Sequence, residues 1–317
     1  MPSPNSTFTH MVTTTLREHP NTMSDAVSNH NALYGRLKAK GRVKKVDGGY
    51  EIVEPIAYAE NSTYTRYSGL QALNVEQSDV ISAAKFDWKY AAVNVVASGA
   101  ELRNNSGKNQ IMDLAKAKLD VAKKTFANNV NEDLHSDGTA DGGLQMGGLQ
   151  SIITNAGTGT VGGIDSSTYT FWRNKFKDGA SATAATIQLR MNELWLDICR
   201  GTDKPDMIIS STDLFTLYEN SLQTLQRFTG MDEAGAGFQT LKYKTADVFH
   251  ETSASGIPAN KMYFLNTDYL KFVVHKDANM TVQEARVPVN QDGEVIPILL
   301  QGNLVCSHRA GLGVLFD

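Results

Sequence analysis

The chain has 317 residues, of which 41% are hydrophobic and 20% charged, with a net charge of −4 at neutral pH. Those values describe a folded chain long enough to bury a core, and they exclude a protein whose whole surface grips nucleic acid, though not a local basic patch. Two cysteines, Cys199 and Cys306, are too few for a disulfide framework or a four-ligand metal site, and no apolar run reaches the ~20 residues of a membrane span.

Residues 1–23 are rich in Ser, Thr, Asn and Pro, the composition of a flexible or partner-ordered arm, and "MPSPNSTFTHMVTTTLREHP" lacks the basic and apolar blocks of a secretory signal. Ser24 and Asp25 then form a helix-start signal. Val27, His30, Leu33, Tyr34 and Leu37 follow at helical spacing, which predicts a short helix ending near Gly41. The stretch "GRVKKVDGGYEIVEPIAYAEN" reads as two extended arms around Asp47-Gly48-Gly49, a composition that suits a tight hairpin turn. An isolated hairpin is marginal in water, so something must cover it. A third extended run, "AAKFDWKYAAVNVVAS", alternates Phe86, Trp88 and Tyr90 with Lys85, Asp87 and Lys89, the period of a half-buried strand.

The clearest predicted element is a long helix, in which Ile111, Ala115, Leu119, Ala122, Phe126, Val130 and Leu134 form one apolar stripe. At 1.5 Å per residue it is about 40 Å long. A glycine-rich segment with one short strand at Leu149–Ile153 comes next. Ile187, Met191, Leu194, Trp195 and Ile198 mark a second amphipathic helix that stops near Gly201. "KPDMIISS" is a strand, and Leu214, Leu217, Tyr218, Leu222 and Leu225 mark a third helix, so this region reads as an α/β layer. The tail is strand-like in "KMYFLNTDYLKFVVH", "NMTVQEARVPV", "EVIPILLQGNLVCSH" and "GLGVLFD".

Chemical motifs are scarce. Gly157 to Gly162 matches G-x-G-x-x-G, but Gly163-Ile164-Asp165 extends the loop where a dinucleotide site needs a helix, so a plain glycine loop is expected. Phosphate-loop, zinc-protease and nucleophile-elbow signatures do not occur. His135, beside Asp133 and Asp137, is expected to be a cation at a helix C-terminus. The lysine face of the long helix, diluted by Asp113 and Asp120, reads as solvated. No catalytic residue, cofactor or metal site is expected.

The order of parts, together with "GRVKKVDGGYEIVEPIAYAEN", "YSGLQALNV", "FDWKYAAVNVVASGAELRNNSG", "GGLQSIIT", "GTVGGIDSSTYTFWRN" and "PDMIISSTDLFTLYENSLQ", resembles the major capsid proteins of tailed bacteriophages, which share the Hong Kong ninety-seven fold. The resemblance implies an α+β chain in four parts. Residues 1–41 would be an N-terminal arm with a short helix, and 42–92 an extended β-hairpin loop lying over a neighbouring subunit. Residues 93–140 and 261–317 would form a peripheral domain with a spine helix at 108–135, and 141–260 an axial domain. Implied intersubunit contacts on the loop are Val43, Lys44, Lys45, Tyr50, Ile52, Glu54, Ile56, Tyr64, Arg66 and Tyr67. The spine-helix core face would be Ile111, Ala115, Leu119, Ala122, Phe126 and Val130, and an axial loop would carry Met231, Asp232 and Glu233. Implied partners are further copies in hexamers and pentamers, a separate scaffolding protein, a portal, a cement protein, and packaged double-stranded DNA through non-specific contact. No membrane partner is implied. The implied place is the virion, assembled in the host cytoplasm. Alternatives are an encapsulin-type nanocompartment shell and a soluble α/β enzyme with dispersed catalytic residues.

Overall fold

The computed structural model describes residues 32–104, 114–223, 241–289 and 291–317. The first part of the predicted arm, residues 224–240 with Met231, Asp232 and Glu233, and the start of the long helix with Ile111 lie outside them, as do the side chains of Ala115 and Leu119.

Helix α1 (Ala32–Ala39) ends as its sequence predicts. Gly41 takes φ +65°, its N–H donates to Lys38 O at 3.0 Å, and Arg42 N–H donates to Leu37 O at 2.7 Å, so a left-handed glycine satisfies the last carbonyls. Leu33 and Leu37 are buried, and Tyr34 sets its ring edge-on to Phe272 at 5.9 Å.

The Asp47-Gly48-Gly49 hairpin is corrected by the pairing. Strand β1 (Val43–Val46) runs parallel to the later strand β12 (Leu270–Val282), while β2 (Ile52–Ala57) runs antiparallel to β3 (Ile81–Phe86). Gly48 and Gly49 have φ of +138° and +123°, outside the turn values near +60° that close a two-residue hairpin. Their freedom carries the chain from one sheet to another. The third extended run also divides. It becomes β3 and β4 (Lys89–Ser98) in separate sheets, with the break at Asp87-Trp88 held by Asn303 Nδ2 donating to Asp87 O at 2.9 Å and Trp88 Nε1 to Gly49 O at 2.9 Å. Phe86 and Trp88 are buried, but Tyr90 is exposed.

A four-stranded sheet has the order β1-β12-β13-β4, with β13 at Gly293–Cys306. "NMTVQEARVPV" is therefore the end of β12 plus a turn, pinned by an Arg286–Val295 bridge.

The chain divides into two compact units. The first comprises, among described residues, 91–104, 114–130, 277–289 and 291–300. Its core joins Val95, Ala122 and Ile298. Helix α2 (Gly99–Asn104) opens on a reciprocal cap: Glu101 N–H donates to Ser98 Oγ at 3.2 Å, and Ser98 N–H donates to the Glu101 carboxylate at 3.1 Å. Lys118 on the long helix α3 (Leu114–His135) reaches that carboxylate at 2.7 Å and holds it below its ordinary pKa. The predicted stripe residues Ala122, Phe126 and Val130 are buried.

The second unit centres on a six-stranded mixed sheet, ordered β7-β14-β11-β8-β10-β9. These strands are β7 (Lys175–Asp178), β8 (Met207–Ser211), β9 (Leu241–Tyr243), β10 (Ala246–Glu251), β11 (Lys261–Leu265) and β14 (Gly313–Phe316). Helices α4 (Ile187–Ile198) and α5 (Thr212–Gln223) cover one face through Ile187, Met191, Leu194, Trp195, Leu214 and Tyr218. β8 is buried along its whole length, in keeping with the apolar run Met207-Ile208-Ile209 that opens it. Leu149–Ile152 is a helical turn rather than the expected strand. Gly148 before it lies against the end of α3, where a Cβ would come within 2.3 Å of Asp133 O.

Candidate assembly interface

Tyr58 N–H donates to Val80 O at 3.1 Å and closes the β2–β3 hairpin at its open end. Between them the chain pairs with no strand. Its side-chain bonds are short-range, as in Thr63 N–H to Asn61 Oδ1 at 2.9 Å and Glu76 N–H to Asn74 Oδ1 at 3.0 Å. Along this stretch Tyr64 (78% exposed), Tyr67, Leu70 (fully exposed), Leu73 and Val75 (92%) stand in solvent. Burying five such side chains is worth roughly 7–15 kcal/mol before ordering costs, and soluble monomers seldom leave such a strip bare.

One face of the paired hairpin is covered by its own chain, and that face holds three of the residues expected at an intersubunit contact. Ile52 and Ile56 are 6% and 5% exposed, and Glu54 is buried with its carboxylate 2.6 Å from Lys271 Nζ. On its β3 side the hairpin meets β5 (Thr160–Val161) and β6 (Ile164–Asp165), joined by Gly162 and Gly163 at φ +61° and +75°. A Cβ on Gly162 would lie 2.9 Å from Ala84 Cβ, and Gly162 O accepts from Lys85 N–H at 2.9 Å. The G-x-G-x-x-G run is therefore a packing loop, and no helix opens at its end. Of the other predicted contacts, Val43 is half-buried, while Lys44, Lys45, Tyr50, Tyr64, Arg66 and Tyr67 are exposed.

Arg309 organises this loop. It is fully buried, and it donates Nε to Ile152 O, Nη1 to Ser166 Oγ (3.0 Å) and Trp172 O (3.4 Å), and Nη2 to Thr154 Oγ1 (3.1 Å) and Thr158 O (3.3 Å). All these partners are neutral oxygens. Burial pulls the guanidinium down to about 10, which still leaves it charged at neutral pH. The sequence held no signal for this role, since one arginine in a strand-rich tail looks like any surface arginine.

A cleft of about 810 Å³ opens where the hairpin leaves the body. Tyr58, Phe171 and Phe176 supply apolar wall, and Arg173, Lys175 and Arg200 supply positive charge beside the carboxylates of Glu60 and Asp197. The Tyr58 and Phe171 rings, 5.9 Å apart, also line a second cleft of about 500 Å³. Burial, then Arg200, depress the His308 pKa and favour its uncharged imidazole.

His135 is not the helix-end cation expected. It is fully buried, its Nδ1 lies 2.9 Å from Asn131 O, and burial holds the imidazole below its ordinary value. Both cysteines are free, and burial pushes the Cys306 thiol up to about 12 and raises Cys199. Among the described residues no cluster of three His, Cys, Asp or Glu could hold a metal, and no helix is long and apolar enough to cross a membrane.

No protein-family model and no curated protein sequence matches the chain. Solved structures do. The cyanophage A-1(L) capsid asymmetric unit contains a similar chain at TM-score 0.67 and 17% identity, covering 93% of this chain and 95% of that one. The SrpI encapsulin of Synechococcus elongatus PCC 7942 is similar at TM-score 0.53 and 8% identity, over 94% and 92% of the two chains. The capsid of Myoviridae phage XM1 follows at 0.52 and 10%, over 89% and 91%. This chain therefore has the Hong Kong ninety-seven fold, shared by phage capsids and encapsulin shells.

Proposed function

We propose that the chain is a phage major capsid protein, which self-assembles into an icosahedral head around double-stranded DNA. The single observation behind this reading is the likeness to a cyanophage capsid chain across nearly the full length of both. The bare strip from Tyr64 to Val75 supports it, because a subunit that finishes its burial on a neighbour needs such a strip. On this reading the loop beyond β2 and β3 lies over an adjacent copy. Copies joined head-to-tail close into hexamers and pentamers, and many such contacts per subunit hold the shell. The role is assembly rather than turnover. Scaffolding, portal and cement proteins are the further partners, contact with DNA is non-specific, and the shell forms in the host bacterial cytoplasm before the virion is released.

Electron microscopy of the purified chain tests the reading. Capsomers, sheets or shells are expected, and a monodisperse monomer or dimer at every protein and salt concentration tried would overturn it. An encapsulin-type shell is the second reading, favoured by the encapsulin likeness. The contents of native particles separate the two: DNA for a capsid, protein cargo for a nanocompartment.

A further inference from the structure

We infer that the cleft at the root of the hairpin is the seat for the Tyr64–Val75 strip of a second copy. This rests on the shell reading above and adds the place where the loop lands.

Four observations converge on it. The strip's large apolar side chains have no cover among the described residues, since Leu70 at its middle is fully exposed and so does not occupy its own cleft. The cleft offers matching surface, because Phe176 is 46% exposed and Phe171 is half-buried beside Tyr58. Charge is complementary. Residues 61–80 carry Glu76 and Asp79 against Arg66, a small acidic excess, whereas the cleft carries Arg173, Lys175 and Arg200 against Glu60 and Asp197, a small basic excess. Placement suits a ring. The loop leaves from Ala57–Glu60 on the cleft's own rim, so each copy would donate a loop beside the site that receives one. Donor and acceptor are different surfaces, which makes the contact head-to-tail and able to close. The projecting segment doubles back over about ten residues, a reach of up to ~35 Å, comparable to a domain diameter. The cleft volume falls within the ~300–1,000 Å³ of sites that enclose a few large side chains.

The test is photocrosslinking in assembled particles. Benzoylphenylalanine replaces Leu70 in a minority of chains, the remainder being unmodified and ¹⁵N-labelled, so that shells form on the unmodified majority. After irradiation, mass spectrometry of the digest identifies the partner peptide and its isotope. The expected product joins position 70 to residues 170–176 or 308–310 of a labelled chain. The reciprocal substitution at Phe176 is expected to join residues 64–75 of a labelled chain. Charge reversal by Lys175→Glu with Arg200→Glu should cut both yields at least tenfold. Crosslinks to labelled chains at other surfaces would overturn the cleft assignment and leave the overlapping loop intact. Crosslinks confined to the carrier's own chain, or none in intact shells, would overturn both.

Discussion

Replacing Tyr67, Leu70 and Leu73 together with serine separates folding from assembly. All three are exposed in the subunit, so the triple variant should fold with a stability change of only about 0.5 kcal/mol per site. If they are buried at a contact, each loses roughly 1.5–3 kcal/mol there. That is roughly 4–9 kcal/mol for the three before ordering costs, and even one third of it weakens each contact ten- to a hundredfold. A shell multiplies that loss over every contact. The matched control is Ile52→Ser with Ile56→Ser. These side chains are already packed inside their own chain, so emptying their sites should cost ~2–5 kcal/mol each in the subunit itself. Urea unfolding followed by circular dichroism reads stability, and sedimentation velocity with microscopy reads assembly. The loop variant should keep its unfolding midpoint and lose shells, whereas the control should lose its midpoint first. Wild-type shell yield from the loop variant, or equal loss of midpoint in both, would refute the reasoning.

Arg309→Met should strand the Ile152, Thr158 and Trp172 carbonyls in a buried site and cost ~3–5 kcal/mol. Hydrogen exchange should quicken first across residues 152–172, and unchanged protection there would count against the buried guanidinium as organiser. His135 is held neutral by burial, so its folded pKa lies below the unfolded value near 6.5. Above pH 6.5 it contributes nothing to the pH dependence. As pH falls below that value the unfolded chain takes up the proton first, and stability is lost down to the folded pKa. His135→Gln should therefore flatten the drop in melting temperature between pH 7 and pH 5, and an unaltered slope would contradict this account. Arg36 pairs with Asp247 at 3.3 Å and Asp206 at 3.7 Å, and Lys40 pairs with Asp206 at 2.7 Å. These partly exposed pairs are worth up to ~1 kcal/mol each, so 0.5 M salt should speed exchange in 32–39 more than in β8; equal response in both segments would remove the pairs from the anchoring of α1.

Helical parts of the fold were legible from local spacing alone. The stripes of α4 and α5, the glycine stop after α1 and the buried run of β8 all follow from which residues recur at which period, and neighbours in sequence are enough to set that. Strand pairing was not legible in the same way. β1 and β2 are separated by five residues, yet one joins β12 and the other β3, because a strand's partner is chosen by which distant edge offers hydrogen bonds and a matching face. The strip from Tyr64 to Val75 shows the same limit. Tyr64, Tyr67, Leu70 and Leu73 repeat every three residues, a period that serves neither a helix nor a half-buried strand, and only the folded chain shows that they stand exposed. That Ile52 and Ile56 are already covered, that Gly162 packs on Ala84, and that Arg309 ties the Gly162 loop down were decided only by tertiary structure. Each depends on groups more than seventy residues apart meeting at contact distance, and no local pattern encodes such a meeting.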